Sequence, residues 1–387
     1  MPVPVLDLAR QYATIRGDVE KAVSEVLATQ HFILGNHGRA LEQEVAKQIG
    51  VKEAVGVASG TDALLLGLRA LGLKKGEGVL TTSFTFFATG GAIHNAGGRP
   101  FFADIQEDTF SLDPADVRRF LEQECRPGDD GRPIHKGTGV TIRVLLPVHL
   151  YGLCCDMDAL GALAREYRLE VLEDACQAYG ATCKGRRAGA LGRLAGFSFF
   201  PTKNLGGAGD GGILTTDETS LAERLRLIRV HGSKERYIHE EIGYNSRLDE
   251  LQAAVLRVKL PRLDAWNEER GRVARRYSQG LSGLEGVTTP RVPEGWTHIY
   301  HQYVIRTSRR DELKSHLAGR QIGSMVYYPV PLHLQPCFRF LGYRVGDLPL
   351  TERAAHEVLA LPIFAELTEA ETAEVCEAVR SFHSGRN

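Results

Sequence analysis

The sequence has no long apolar run, no excess of either charge and no paired cysteine motif. Its 387 residues carry a formal net charge of -1, without a basic run or a Lys/Arg stripe spaced by aromatic residues. This balance argues against nucleic acid or an anionic membrane as the main partner. No apolar stretch approaches the ~18 residues that a membrane span requires, and the N-terminal segment MPVPVLDLARQ lacks the layout of a signal peptide. We therefore expect a cytoplasmic protein that does not contact membranes.

The cysteines form an odd, scattered set of seven with no CxxC spacing. This pattern is not typical of a disulfide framework or of a zinc site, so we expect reduced thiols and no bound metal. The cysteines are Cys125, Cys154, Cys155, Cys176, Cys183, Cys337 and Cys376.

Short apolar runs rich in β-branched residues alternate with helical patterns in the first half of the chain. The runs lie at residues 54–59, 78–83, 99–105, 141–150, 169–175, 196–200 and 211–216. This alternation predicts an α/β fold with a mainly parallel central sheet and helices on both faces. In such folds, ligands bind where strands end and helices begin. The polar segment at 126–139 predicts a surface loop.

The chain is long enough for two domains. Residues 1–245 are predicted to form a large α/β domain with an N-terminal arm. From residue 246 a long helical pattern is interrupted by Pro261, and a strand-like run at 298–307 and further helices follow. We therefore predict a smaller α+β domain over residues 246–387.

A single lysine, Lys203, stands between an apolar strand and a glycine-rich segment in FFPTKNLGGAGDGG, residues 199–212. The glycines allow the backbone to approach a ligand closely. A lysine at the end of a buried strand is partly desolvated, which lowers the pKa of its amine and favours a nucleophile. A phosphate-binding or surface lysine is the alternative, although the Walker pattern does not match because this lysine precedes the glycines.

A second buried strand ends in Glu173 and Asp174, with Gln177 three residues after Asp174, in LEVLEDACQAYGA. A carboxylate there needs a cationic partner, such as the protonated ring nitrogen of a cofactor held by Lys203. We assign this role to Asp174, because neighbouring strand residues point to opposite faces and Glu173 is then structural. Gln177 would reach a hydroxyl oxygen of the same ring. An acidic helix N-cap is the alternative interpretation.

An anion site is predicted where the strand of VASGTDALLLGLRAL, residues 57–71, runs directly into a helix. Free N–H groups at a helix N-terminus bind phosphate. Gly60 allows close approach, the Thr61 hydroxyl adds a donor, and Ser198 lies five positions before Lys203 on its strand. Ser-Gly-Thr-Asp is also an ordinary capping sequence, so that alternative stays open.

Aromatic residues follow a further strand end in SFTFFATGGA, residues 83–92. We predict that Phe86 stacks on a planar ring, whereas burial in the core is the alternative for Phe84, Phe86 and Phe87. His149, in PVHLYG at the end of another strand, is a candidate site residue, with a structural histidine as its alternative.

Together these segments resemble the DegT/StrS-type family of sugar aminotransferases, which are pyridoxal-phosphate (PLP) enzymes of fold type I, similar to aspartate aminotransferase. The resemblance covers nearly the whole chain. The matching segments, in order, are FILG (32–35), SGTDAL (59–64), TF (85–86), PVHLYG (147–152), EDACQAYGA (173–181), FFPTKNLGGAGDGG (199–212), RVHG (229–232), GYNSRLDELQAA (243–254), YPVPLHLQ (328–335) and LPIFAELT (361–368).

The resemblance implies a role for each of the residues singled out above. Lys203 would hold PLP and then act as the general base, and Asp174 would face the pyridine nitrogen. The other implied cofactor contacts are Gln177 near the ring oxygen, Phe86 stacked on the ring, and Gly60, Thr61 and Ser198 on the phosphate. By resemblance alone, Asn245 would reach the phosphate of a partner subunit, which implies a homodimer with shared active sites. Tyr179 departs from the histidine that the family often has at this position.

The resemblance also implies the substrates. The string TKNLG followed by GDGG is similar to that of enzymes that aminate C-3 of a keto-sugar, so we expect transfer from L-glutamate, giving 2-oxoglutarate, to a nucleotide-linked 3-keto-sugar. We favour a UDP-linked 2-acetamido-3-keto-sugar, as used for lipid A or O-antigen in lipopolysaccharide biosynthesis. A dTDP-linked 3-keto-6-deoxyhexose and a C-4 keto-sugar are the alternatives. His149, Tyr328 and His333 are candidate contacts of the sugar nucleotide.

Two alternatives belong to other classes. A PLP-dependent sugar dehydratase would use the same scaffold, but the dehydratase branch replaces the lysine with histidine and this chain retains Lys203. The second is a PLP-binding regulator without turnover. Such a regulator need not keep Lys203, Asp174 and Gln177, so the presence of all three in this chain argues against it.

Overall fold

The computed structural model describes residues 2–384, and its centre is a seven-stranded sheet. The strands coincide with the seven apolar runs, because β-branched and aromatic side chains pack well on a pleated surface. They are β1 (Glu53–Val57), β2 (Gly78–Thr82), β3 (Arg99–Ala103), β4 (Ile142–Leu146), β5 (Glu170–Asp174), β6 (Leu194–Ser198) and β7 (Gly212–Thr216). Their order is β1-β7-β6-β5-β4-β2-β3, and within this sheet only β7 runs antiparallel to its neighbours. The predicted mainly parallel sheet is confirmed.

Helices connect several of the strands, and four of them lie in the C-terminal third. The helices are α1 (Leu8–Thr29), α2 (Asn36–Ile49), α3 (Gly60–Ala70), α4 (Phe87–Asn95), α5 (Pro114–Arg119), α6 (Met157–Glu166), α7 (Thr219–Ile228), α8 (Glu250–Lys259), α9 (Leu263–Gly280), α10 (Arg310–Gly319), α11 (Pro349–Glu357) and α12 (Glu369–Ser384). Short segments of other helix types span Phe120–Glu124, Leu150–Gly152, Leu260–Arg262, Leu332–Leu334 and Pro336–Leu341. Among residues 2–384, every helix is too short or too polar to cross a bilayer.

Core clusters cover both faces of the central sheet. On one face, Val55, Leu66 and Leu172 pack with apolar residues of α3, α4 and α7. On the other, Leu41 of α2 and Leu256 of α8 pack against side chains of β6 and β7. Burial on both faces explains why these strands are nearly continuous apolar runs in the sequence.

A further cluster forms in the C-terminal part of the chain. The strand β8 (Tyr303–Arg306) pairs antiparallel with β9 (Val358–Leu361), and apolar residues of α9, α10 and α12 pack on this pair. Val3 joins the same cluster. The helix break predicted at Pro261 is confirmed, because a single 3₁₀ turn separates α8 from α9. The domain boundary after residue 245 stays a prediction.

Two local predictions are wrong in part. Residues 126–139 do not form a plain loop, since Cys125–Pro127 pairs antiparallel with Pro133–His135. Gly131 adopts φ 79° in the turn between them, which a glycine tolerates without strain. The strand predicted at 298–307 covers only residues 303–306, because Tyr300 adopts φ 47° and interrupts the extended backbone. The other short strands are Thr182–Cys183, Arg186–Arg187, Ser233–Glu235, Ile238–His239 and Trp296–Thr297.

Candidate active site

A cavity of about 540 Å³ lies at the carboxyl ends of the parallel strands. The chain segments that follow β1, β2, β4, β5 and β6 all reach its wall, as expected for an α/β sheet. Eight of the residues singled out in the sequence line it: Gly60, Thr61, Phe86, Asp174, Gln177, Ser198, Lys203 and Tyr328. Segments far apart in the sequence therefore meet at one site.

Lys203 lies in a loop that folds tightly back on the end of β6. The N–H of Lys203 donates to the carbonyl of Phe200 at 2.8 Å, and that of Gly207 donates to the carbonyl of Phe199 at 2.8 Å. A Cβ at Gly206 would lie 2.2 Å from the carbonyl oxygen of Pro201, so this turn requires glycine. The glycine-rich run thus fixes the backbone from which the lysine side chain reaches the cavity.

Burial lowers the pKa of the Lys203 amine below the ordinary value for lysine. Asp174 and Cys176 oppose this shift, because each would favour the charged ammonium. Within residues 2–384, Nζ of Lys203 has neither a hydrogen-bond partner nor an ion pair. A neutral amine is a nucleophile and a base, so the cavity favours the chemically active form of this side chain.

Asp174 places a buried carboxylate, 5% exposed, in the same cavity. Its Oδ2 accepts a hydrogen bond from Oγ1 of Thr89 at 2.8 Å, and its Oδ1 accepts one from the N–H of Cys176 at 3.2 Å. Thr89 in turn accepts from Oγ1 of Thr85 at 3.0 Å, since its own proton is donated to Asp174. Among the described residues, Asp174 forms no ion pair. This carboxylate is therefore held in place but lacks the cationic partner that a buried charge needs.

Gln177 is oriented by two hydrogen bonds of opposite sense. Its Oε1 accepts from the N–H of Tyr151 at 2.8 Å, and its Nε2 donates to the hydroxyl of Tyr328 at 2.9 Å. The amide nitrogen Nε2 of Gln177 therefore lies on the side of Tyr328. Because an amide nitrogen carries two protons, the second one is available to an acceptor bound in the cavity.

The N-terminus of α3 forms an anion cradle against the end of β6. Oγ of Ser59 accepts the N–H of Asp62 at 3.1 Å, whereas the N–H groups of Gly60 and Thr61 have no acceptor among the described residues. A Cβ at Gly60 would lie 2.5 Å from Cβ of Ser198, so only glycine allows the helix to start this close to the strand. The two free N–H groups and the hydroxyls of Thr61 and Ser198 can bind a phosphate.

Phe86 stands at the start of α4 and is 55% exposed. Its ring centroid lies 6.0 Å from that of Tyr328, with the planes at 43°. The alternative that Phe86 is a core residue is wrong, whereas Phe84 is fully buried. A planar ligand in the cavity would meet the Phe86 ring at its edge or face.

Three of the singled-out residues do not reach the cavity. His149 is fully buried and contacts Glu173 on the opposite side of β5, with Nε2 to Oε2 at 2.9 Å. His333 is buried between Ser83, at 2.7 Å from Nδ1, and Glu352, at 3.1 Å from Nε2. In both histidines the two ring nitrogens form hydrogen bonds with other groups of the protein. The expectation that these histidines contact a ligand is therefore not supported. Asn245 is exposed and lies outside the cavity of its own chain.

Tyr179, the departure from the family pattern, also lies outside the cavity. Its ring packs 5.0 Å from that of Phe197, and its hydroxyl donates to Oε1 of Gln48 at 3.1 Å. Tyr179 therefore belongs to the core cluster on one face of the sheet and is not part of the cavity wall.

Several cavity residues escaped the sequence analysis. They are Thr85, Thr89, Cys176, Thr202, Asp210, His301, Gln302 and Tyr327. Thr85 and Thr89 lie on either side of the start of α4, and only the structure shows that their hydroxyls are 3.0 Å apart. His301, Gln302 and Tyr327 come from the C-terminal part, where no local pattern marks them.

Known proteins resemble this chain over nearly its whole length. The DegT/DnrJ/EryC1/StrS aminotransferase family matches residues 13–380. A pleiotropic regulatory protein of Geobacillus stearothermophilus is 45% identical over 385 residues, covering 99% of each chain. A dTDP-3-amino-3,4,6-trideoxy-alpha-D-glucose transaminase of Streptomyces venezuelae is 42% identical, covering 98% of this chain and 96% of the relative. A UDP-N-acetyl-3-dehydro-alpha-D-glucosamine 3-aminotransferase of Acidithiobacillus ferrooxidans is 40% identical, covering 98% and 97%.

A solved structure shares the fold in detail. The crystal structure of DesV from S. venezuelae, in complex with a ketimine intermediate, superposes with a TM-score of 0.92 at 42% identity, covering 99% of this chain and 98% of that one. The fold type I assignment is therefore confirmed. The chain belongs to the DegT/DnrJ/EryC1/StrS family of aminotransferases, whose cofactor is pyridoxal phosphate.

Proposed function

We propose that this enzyme transfers the amino group of L-glutamate to a nucleotide-linked 3-keto-sugar, with Lys203 and Asp174 as its catalytic residues. One observation carries the proposal: a lysine whose pKa is lowered by burial shares a cavity with a buried carboxylate that lacks a cationic partner. These are the two groups that amine transfer requires, a base and an anion that holds positive charge.

The residues of the cavity fit PLP. The open N–H groups of Gly60 and Thr61, with Ser198 beside them, match a phosphate, and Asp174 matches a protonated pyridine nitrogen. Nε2 of Gln177 carries the spare donor for the ring oxygen. Phe86, which lines the cavity, would stack on the ring. When bound, PLP supplies the electron sink that stabilises a carbanion next to nitrogen.

In this proposal the protein contributes positioning and one mobile proton. Asp174 keeps the ring nitrogen protonated, and Thr89 and the Cys176 N–H hold its two oxygens in place. Lys203 first tethers the cofactor and then, as a free amine, moves a proton between the carbon atoms of substrate and cofactor. Its lowered pKa keeps a larger fraction of the amine unprotonated near neutral pH.

The charges of the cavity support a shared site in a homodimer. Among the described residues that line it, Lys203 is the one lysine or arginine, and burial lowers the pKa of its amine, whereas Asp174 and Asp210 contribute two carboxylates. Glutamate and a sugar nucleotide are both anions, and in this proposal a partner subunit contributes the further positive charge. The segment at 229–247 carries Asn245, basic side chains and apolar residues that are highly exposed, Tyr237 at 82% and Ile242 at 90%. We propose that this segment docks on the partner and that Asn245 reaches its phosphate cradle.

For the sugar, we favour a UDP-linked 2-acetamido-3-keto-sugar, of the kind used in lipopolysaccharide synthesis. Support comes from the TKNLG and GDGG strings and from the A. ferrooxidans relative, whose name specifies such a substrate. A dTDP-linked 3-keto-deoxysugar is the second candidate, on the strength of the S. venezuelae relative. Tyr328, which lines the cavity, is the proposed sugar contact.

A substrate panel tests the proposal. The enzyme is incubated with L-glutamate and with UDP- and dTDP-linked keto-sugars generated in the same tube, and the aminated product is identified by mass spectrometry. We expect amination at C-3 of the UDP-linked sugar. Reaction of C-4 keto-sugars alone would contradict the regiochemistry, and reaction of dTDP-sugars alone would contradict the nucleotide.

A regulatory role without turnover is the alternative from another class. It is favoured by the name of the Geobacillus relative. The intact set of Lys203, Asp174 and Gln177 in one cavity argues for turnover, because binding alone requires no electron sink. Conversion of glutamate to 2-oxoglutarate in the presence of any keto-sugar of the panel would exclude this alternative.

A further inference from the structure

A network of three hydrogen bonds joins the loop after β4 to the C-terminal wall of the cavity, and Tyr151 lies at its centre. The N–H of Tyr151 donates to Oε1 of Gln177 at 2.8 Å, and the hydroxyl of Tyr151 donates to the carbonyl of Tyr327. Nε2 of Gln177 in turn donates to the hydroxyl of Tyr328 at 2.9 Å. Tyr151 therefore holds both the Gln177 amide and the backbone next to Tyr328.

The side chain of Tyr151 is itself fixed by the core. It is buried, and its ring packs edge-on against Phe84, with the centroids 6.5 Å apart, and against Phe110, with the centroids 5.8 Å apart. Its backbone adopts φ 57°, which is strained for a tyrosine, and strain of this kind clusters at functional sites. The two groups that Tyr151 donates are thus held in defined positions.

The network determines where the hydroxyl proton of Tyr328 points. The Gln177 amide has one orientation, because its Oε1 accepts a backbone N–H, and the nitrogen that faces Tyr328 can only donate. The oxygen of Tyr328 is therefore the acceptor, and no residue between 2 and 384 accepts its proton. Burial raises the pKa of Tyr328, so the hydroxyl stays protonated near neutral pH. Since Tyr328 lines the cavity, this proton is available to a ligand there.

The part of the cavity wall around Tyr328 is uncharged. Among the described residues, the C-terminal part of the chain contributes His301, Gln302, Tyr327 and Tyr328 to this wall. Burial lowers the pKa of His301 well below the ordinary value for histidine, so its ring is neutral near neutral pH. Uncharged polar groups suit the uncharged oxygens of a hexose, whereas the carboxylates of glutamate require cations. This wall therefore fits the sugar and not the amino acid.

The hydrogen bond to Gln177 also brings the Tyr328 hydroxyl close to the reacting atoms. In the proposed function, the second proton of Nε2 binds the ring oxygen of PLP, and that oxygen is on the ring carbon next to the one that bears the reacting group. The Tyr328 oxygen lies 2.9 Å from the same nitrogen. A donor at this place matches the carbonyl oxygen of the carbon that receives the amine, because a carbonyl oxygen can only accept.

We propose that the Tyr328 hydroxyl donates a hydrogen bond to the keto oxygen of the sugar, and that Tyr151 is the positioning residue that directs this proton. Tyr328 orients the carbonyl and keeps its own proton. The inference rests on the proposed function, and it adds the atom of the sugar that Tyr328 binds and the residue that holds Tyr328 in place.

The test compares two ketones that react with the same form of the enzyme. The holoenzyme loaded with pyridoxamine phosphate is mixed either with the UDP-linked 2-acetamido-3-keto-sugar or with 2-oxoglutarate, and the return of PLP absorbance is followed in a single turnover. Tyr328→Phe is expected to lower the second-order rate constant for the sugar about 10-fold, the effect of losing one hydrogen bond to the substrate. The rate constant for 2-oxoglutarate is expected to stay close to that of the wild type, because cations bind its carboxylates.

The absorbance of bound PLP as a function of pH gives a second reading that does not depend on turnover. In Tyr328→Phe the Gln177 amide remains anchored by the N–H of Tyr151. We therefore expect the same absorbance change at the same pH as in the wild type. A displaced transition would overturn the inference, since Tyr328 would then bind the ring oxygen of the cofactor and not the sugar.

Two further variants separate positioning from binding. Tyr151→Phe keeps the packed ring and the N–H to Gln177 but removes the hydroxyl that holds the Tyr327 carbonyl. We expect a smaller decrease for the sugar and none for 2-oxoglutarate. Tyr179→Phe makes the same chemical change at a buried tyrosine whose hydroxyl donates to Gln48 outside the cavity. It is the matched control and should react with both ketones like the wild type.

An unchanged rate constant for the sugar in Tyr328→Phe would overturn the inference, and so would an equal decrease for both ketones. Wild-type behaviour of Tyr151→Phe with the sugar would overturn the positioning role of Tyr151. If the wild-type protein takes up pyridoxamine phosphate but does not react with the keto-sugar, the proposed function itself is contradicted. The failure of the inference and the failure of the proposed function are thus distinguishable.

Discussion

Glu173 and Asp174 are adjacent, buried carboxylates at the end of one strand, yet their surroundings differ completely. Glu173 accepts hydrogen bonds from the N–H groups of Gly189, Leu191 and Gly192 at 2.6 to 2.9 Å, and it also contacts Nε2 of His149. Asp174 has two donors and faces the cavity. A saturated buried acid stabilises the fold, whereas an unsaturated one is available for chemistry.

Asp174→Asn gives the largest expected effect. The amide cannot hold a protonated ring nitrogen, so we expect kcat to fall on the order of 10³-fold, as for loss of a central electrostatic group. The free energy of unfolding should change little, because removing an unpaired buried charge has a small or favourable effect on stability. Steady-state kinetics and urea denaturation measure both quantities. A large loss of stability would remove the distinction between the two carboxylates.

Gly60→Ala tests whether the N-terminus of α3 binds the phosphate of PLP. The added Cβ would lie 2.5 Å from Cβ of Ser198, so the start of α3 must shift away from β6. We expect the affinity for PLP to fall on the order of 10-fold to 100-fold, since each displaced hydrogen bond to a charged group contributes about 1.5 kcal/mol or more. Absorbance titration with PLP measures it. Gly319→Ala is the control, because Gly319 lies in a helix and an added Cβ would meet no atom there. Gly50→Ala would not serve, since Gly50 has a positive φ and alanine would be strained there. Wild-type affinity in Gly60→Ala would exclude the cradle as the phosphate site.

Glu173→Gln tests the other side of the strand. An amide replaces one accepting oxygen by a donor that would face N–H groups, so we expect the free energy of unfolding to fall by about 3 kcal/mol. Turnover per folded molecule should stay within a few-fold of wild type. Urea denaturation followed by kinetics on the soluble fraction provides the two readings. A selective loss of kcat with normal stability would place Glu173 in the reaction.

Thr89→Val has the smallest expected effect. The change removes the hydroxyl that donates to Oδ2 of Asp174 at 2.8 Å while it keeps the shape of the side chain. The loss of about 1.5 kcal/mol of orienting interaction predicts a decrease in kcat of about 10-fold with little change in KM. Thr85→Val, one step further from the carboxylate, is the matched control and should lose less. Equal losses in the two variants would argue against a direct role of Thr89.

The sequence predicted best those site residues that lie at the end of a strand or just after it. Asp174 ends a strand of the sheet, and Lys203, Gly60 and Gln177 each follow one. Parallel strands bring their carboxyl ends to one edge, so a pattern of strands suffices to bring these residues together. The direction of each side chain is harder to predict. Val148 lines the cavity, but the next residue, His149, points away from it and forms a hydrogen bond with Glu173.

Contacts between distant segments were not predictable from local patterns. The hydrogen bond from Thr89 to Asp174 joins residues 85 positions apart, and that between Asn204 and His301 spans 97. Nothing in the residues near His301 indicates that it reaches the cavity, since this depends on how the C-terminal part packs on the central sheet. Such residues are found from the structure alone.

The central claim is that Lys203 carries the cofactor beside Asp174. Borohydride reduction of the holoenzyme, followed by digestion and peptide mass spectrometry, tests it most directly. The account predicts one phosphopyridoxyl group per chain on the peptide that contains Lys203, and its loss in Lys203→Ala. A protein that remains colourless with added PLP, or a label on any other lysine, would contradict it.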